Sequence, residues 1–237
     1  MGAQSIEIGR PRDASGRQSP YTGTVFGRFQ SKLRETVIAS PELFLPVFLL
    51  FTWKVTALVS GPRTLILALL STGILVIYAY RLLGKNTWLV RLGWSPPPRH
   101  FWFWSILTGL IACGAVWVVA RLSHESIGRF PSVGQLLLAS TAGPMVEEML
   151  FRGLLYWGII EFFKCLRVPK RAGQVIAVLL VAIGFAIAHV GRAGVSLACT
   201  ILTGAAFGTM RVYSRSTAAA ALMHGVYNFA LCWMTFA

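Results

Sequence analysis

Residues 173–191 read GQVIAVLLVAIGFAIAHVG, a run without one Asp, Glu, Lys or Arg. At 1.5 Å per residue a helix over it reaches about 28 Å, close to the ~30 Å of hydrocarbon in a bilayer. Runs of this kind recur on both sides of it. Seven apolar segments are expected in all, at about 43–60, 64–83, 101–120, 135–163, 173–191, 194–210 and 217–236. The first is interrupted by Pro46 and Lys54, and the overlong fourth is expected to break or kink at Gly143-Pro144. The fold class that follows is all-α: a polytopic membrane bundle of about seven transmembrane helices, with six to eight as the bounds.

Composition agrees with that class. Of 237 residues 55% are hydrophobic and 13% charged, with mean hydropathy +0.65, whereas soluble domains carry about 25% charged residues. The formal net charge is +14, and the bases sit between the apolar runs, where lipid headgroups account for them without a nucleic-acid partner. Cys113, Cys165, Cys199 and Cys232 form no C-x-x-C pair, so neither a disulfide framework nor a zinc knuckle is indicated.

Residues 1–40 are polar and Arg-rich and are expected to be a disordered cytoplasmic tail, with 41–237 forming a single transmembrane domain. The 81–99 and 164–171 loops and the Arg211/Arg215 turn are base-rich, while the alternate loops hold only Arg63, Arg121, Arg129 and Arg192. The positive-inside rule then puts the N-terminus in the cytoplasm. The expected location is a prokaryotic inner (plasma) membrane. Tryptophans gather near segment ends, as at a membrane interface. In the sixth segment Ser196, Thr200, Gly204 and Gly208 form a thin face suited to close packing inside the bundle. The sequence sets no oligomeric state.

Three polar clusters stand inside the apolar half: Glu147-Glu148-Met149-Leu150-Phe151-Arg152, Phe185-Ala186-Ile187-Ala188-His189 and His224-Gly225-Val226-Tyr227-Asn228. An ionisable residue at the bilayer centre costs roughly 2.5–3.5 kcal/mol even on the gentlest insertion scale, so a chain that keeps several there has a use for them. Glu148 and Arg152 are four apart and can pair. Glu147 lies about 100° further round the helix and has no cation within a turn. It is therefore the carboxylate available to take a proton from water. His224 and Asn228 share one helix face, and both can donate toward a developing oxyanion. Phe185, one turn before His189, can hold that imidazole by packing.

Two other readings stay open on residues alone. The glutamates and Arg152 could be an ion cluster that staples helices together. Alternatively, Glu147, Glu148, His189 and His224 could hold zinc, although no H-E-x-x-H is present.

The three clusters resemble the E-E-x-x-x-R, F-x-x-x-H and H-x-x-x-N motifs of the CPBP family, which contains type II CAAX prenyl endopeptidases and bacteriocin-processing or immunity proteins. The resemblance covers about residues 101–237. It implies an intramembrane glutamic endopeptidase in which Glu147 activates water, His189 positions it, and His224 and Asn228 stabilise the oxyanion. Glu148 and Arg152 take supporting positions, and no cofactor is required, with zinc as the alternative. The implied partner is a lipidated or membrane-anchored protein or prepeptide. The other functional class is a non-catalytic immunity or partner-binding protein on the same scaffold; a proton-coupled transporter is less well supported, since no inverted repeat is visible. One geometric tension is expected. His189 falls near the outer end of its segment and His224 nearer the inner end of its own, so the fifth helix should run on past Arg192 unless its boundaries are displaced.

Overall fold

The computed structural model describes residues 77, 88–124, 133–189 and 193–236. The tail and the expected segments 43–60 and 64–83 lie outside the described residues, apart from Ile77.

Every regular element among the described residues is helical. A short α1 (Trp88–Arg91) leads through Pro96-Pro97-Pro98 into α2 (Arg99–Leu122). Pro98 sits at the N-cap in an extended conformation, as Pro169 does before α6 (Lys170–Ala188). Proline is tolerated at a helix start because the N–H it lacks would have no partner within the helix. The helices α7 (Gly194–Ser214) and α8 (Thr217–Phe236) follow. By length and composition α2, α6 and α7 are each able to cross a membrane, and the protein is an integral membrane protein.

The fourth apolar segment is not one helix. It divides into α3 (Val133–Ser140), α4 (Ala142–Glu148), a π-helical stretch (Met149–Leu155) and α5 (Tyr156–Cys165). The break falls at Thr141 (φ −125°, ψ −85°), just before Gly143-Pro144. Proline has no N–H to donate and its ring obstructs the preceding turn. The last carbonyls of α3 therefore take outside donors: the Thr141 hydroxyl donates to Leu137 O at 2.6 Å, and Asn228 donates to Ala139 O.

Close helix contacts are made where side chains are small. A Cβ built on Gly204 would lie 3.3 Å from Ala182 Cα, and one on Gly208 3.0 Å from Val178. The small-residue face of α7 thus packs on α6 inside the molecule. At Gly225 of α8 an added Cβ would meet the Ser140 carbonyl of α3. The core gathers around Phe151, Leu154, Val181 and Phe185 on one side and Cys113, Phe207 and Met223 on the other. Outward faces stay apolar. Val175, Leu179, Ile183 and Ile187 form an exposed stripe along α6, which suits lipid rather than water.

Candidate active site

Glu147 and Glu148 end α4, and the π-helical stretch begins at Met149. π-turns are rare and concentrate at functional sites. Successive residues on a helix point about 100° apart, and the two carboxylates accordingly meet different partners. Glu148 is fully buried, with Oε1 3.1 Å from Arg152 Nη1 and 2.9 Å from His224 Nδ1. Glu147 is 18% exposed and places Oε2 3.9 Å from His189 Nε2.

Arg152 is also fully buried. It donates through Nη2 to Gly204 O at 2.8 Å, and its guanidinium lies 4.5 Å from the centroid of the Phe185 ring. A bare carboxylate would be costly in this interior; the adjacent guanidinium and imidazole offset that cost. The expected Glu148–Arg152 pair is present, and the structure adds His224 to it.

Phe185 is the hub of the aromatic packing. Its ring centroid lies 4.3 Å from that of His189, 5.7 Å from that of His224 and 5.1 Å from that of Phe151. It therefore does pack on the His189 ring. Its carbonyl does more, lying 2.8 Å from His189 Nδ1. A carbonyl only accepts, so Nδ1 carries the hydrogen in this contact, and in a neutral ring Nε2 then offers a lone pair on the Glu147 side.

Of the two alternatives for the fifth helix, an extension past Arg192 or displaced boundaries, the structure shows the second, with the expected 173–191 observed as Lys170–Ala188. The helix stops at Ala188, and His189 occupies its C-cap (φ −91°, ψ 61°). The two histidines meet because the His189 ring folds back one turn onto Phe185, whose own ring reaches toward His224. No added helical turn is needed.

His224 stacks on Phe207 at 4.5 Å and 19°. With Nδ1 against Glu148, Nε2 is the ring atom it has left for the site. Asn228 Nδ2 donates to Ala139 O at 2.7 Å, which holds the amide plane and leaves its second hydrogen as a donor. Both residues line the same cavity, with one polar atom of each committed to the scaffold.

Glu147, His189, His224 and Asn228 line one cavity of about 200 Å³, with Phe185 in its wall; Glu148 and Arg152 stand behind it. Sequence reasoning missed Thr200, Thr203 and Tyr227, which also line it. Thr203 donates its hydroxyl to Cys199 O at 2.9 Å and Thr200 donates to Ser196 O at 2.8 Å, so each hydroxyl hydrogen is committed to the helix's own backbone. Tyr227 stands beside Asn228 in the third cluster. Thr200 had as its signal a place on the small-residue face of α7, whereas Thr203 lies off that face, one turn along from Thr200. Among the described residues, no three His, Cys, Asp or Glu side chains are grouped as metal ligands.

No curated protein and no solved structure matches the chain. The family comparison does return a match, and its family points to a protease. Residues 129–230, which contain every residue of this cavity, match the family model of the type II CAAX prenyl endopeptidase, Rce1-like proteins, in keeping with the family that the three motifs resemble.

Proposed function

We propose that the protein is an intramembrane glutamic endopeptidase that cleaves a CAAX-type, lipidated or membrane-anchored protein from a bundle of seven spans with its N-terminus in the cytoplasm. The observation that carries this reading is the single cavity bounded by Glu147, His189, His224 and Asn228. A water between Glu147 and His189 Nε2 suits the 3.9 Å separation of the two groups, which is too long for a direct hydrogen bond. Glu147 takes a proton from that water as its oxygen attacks the scissile carbonyl carbon. The resulting oxyanion accepts from the Asn228 amide and from Nε2–H of a His224 ring protonated on both nitrogens, whose Nδ1–H is held by the Glu148 carboxylate, and donors placed where charge develops each contribute about 10²–10³ in rate. The C–N bond then breaks as the Glu147 carboxyl group returns the proton to the departing amine. Glu148, neutralised by Arg152, orients His224. In this scheme no metal takes part.

The test is hydrolysis of a farnesylated CAAX peptide by the purified protein in liposomes. Glu147→Gln is expected to lower turnover at least 10²-fold with its melting temperature unchanged. Full activity in Glu147→Gln sinks the mechanism; full cellular activity of a hydrolysis-dead variant favours partner binding instead.

A further inference from the structure

A second and larger cavity, about 730 Å³, opens at the other end of α6, where the base-rich loops meet the helices. Lys164, Lys170, Arg211 and Arg215 line it, together with Tyr156 and Gln174. None of them belongs to the candidate active site.

Among the described residues the charge in this cavity is balanced only in part. Lys164 pairs with Glu161 at 2.7 Å, but among the described residues Lys170, Arg211 and Arg215 have no acidic partner. Arg211 is the informative one. Its guanidinium carbon lies 5.7 Å from the Tyr156 ring centroid, and the group fills the space where a Cβ on Gly93 (φ +68°) would stand. Its Nε is buried and makes no hydrogen bond among the described residues. An arginine drawn in from the surface without a counter-charge leaves a desolvation cost that an external anion would relieve.

The remaining geometry favours phosphate. Planar guanidinium groups pair bidentately with phosphate oxygens. Lys170 is the first residue of the 19-residue α6, so the free N–H groups of that turn and the helix dipole add to the same potential. Arg215 caps α7 in the left-handed conformation (φ 57°), where glycine is the usual choice. A cation is kept there all the same. Ile160 and Phe163 supply an apolar wall beside the polar groups, as a lipid's glycerol region requires.

We propose that this cavity binds a phosphate group, and that the group is carried by an anionic membrane lipid seated between α5, α6 and α7 at headgroup level. Basic pockets between transmembrane helices on the cytoplasmic side take such headgroups. The site is independent of the protease chemistry and needs only the membrane placement.

Thermal unfolding and direct binding of the full chain in neutral detergent test it, with dioctanoyl phosphatidylglycerol, dioctanoyl phosphatidylcholine and inorganic phosphate as three probes. Phosphatidylglycerol is expected to raise the melting temperature saturably and to bind at least tenfold more tightly than either alternative. Equal stabilisation by phosphatidylcholine overturns the phosphate site, and inorganic phosphate binding as tightly as phosphatidylglycerol overturns the lipid source. Lys170→Gln/Arg215→Gln should weaken phosphatidylglycerol at least tenfold. Arg99→Gln/Arg171→Gln, which removes two exposed charges that do not line the cavity, should weaken it less than threefold. Equal losses in the two pairs assign the binding to diffuse surface charge and refute the cavity. The wild-type comparison of the three probes decides the matter even where a variant folds poorly.

Discussion

Replacing Arg152 with methionine tests the electrostatic logic of the site most directly. Arg152 and Glu148 are both fully buried and 3.1 Å apart, and among the described residues His224 is the other partner of the Glu148 carboxylate. Methionine keeps most of the volume between Phe151, Phe185 and Phe207 but leaves the carboxylate without its cation. Breaking a buried pair from one side costs about 3–5 kcal/mol. At about 2–4 °C per kcal/mol for a chain of this size, the melting temperature should fall by roughly 6–20 °C. Thermal unfolding of the purified protein in detergent, followed by circular dichroism, reads this. The partner variant Glu148→Gln/Arg152→Met removes both charges and should recover stability to within about 1–2 kcal/mol of the original. Hydrolysis should stay depressed in the double variant, because His224 no longer faces a carboxylate. A melting temperature for Arg152→Met within 2 °C of the unaltered protein refutes the reasoning, as does a double variant no more stable than the single one.

Other outcomes follow from separate contacts. Asn228→Ala should lower kcat about 10²–10³-fold with little change in KM, and steady-state kinetics on the farnesylated peptide will read the split. Gly225→Ala drives a Cβ against Ser140 O and should cost about 1–3 kcal/mol by overpacking. Gly114→Ala on α2 meets nothing within 4 Å and should leave the melting temperature unchanged or slightly raised, in the direction of the ~1 kcal/mol helix preference for alanine. Hydrolysis should persist after dialysis against 1,10-phenanthroline; loss that added zinc restores would replace the proposed water activation with metal chemistry.

Much of the architecture is legible in the chain because a bilayer reads length and hydropathy directly. The expected run 101–120 emerges as Arg99–Leu122, 173–191 as Lys170–Ala188, 194–210 as Gly194–Ser214 and 217–236 as Thr217–Phe236. Local spacing was equally readable, since i, i+4 neighbours touch whatever the rest of the fold does: Glu148 with Arg152, and Phe185 with His189. The fourth segment shows where this ends. Gly143-Pro144 announced a break, but the π-helical stretch after Glu148 carries no comparable signal, because it depends on how neighbouring helices accommodate an extra residue.

What the sequence by itself determined, among the described residues, was the apolar runs from 101 onward and the three polar clusters within them. Tertiary structure alone decided the pairings: Glu147 with His189, Glu148 with His224, and Asn228 with the Ala139 carbonyl left over from a broken helix. It also brought Thr200 and Thr203 to the cavity and drew Arg211 in over Gly93. The physical reason is range. Hydropathy and helical periodicity act within one segment, whereas a contact between segments depends on how small residues such as Gly204 and Gly225 let two helices approach, and no single segment records that distance.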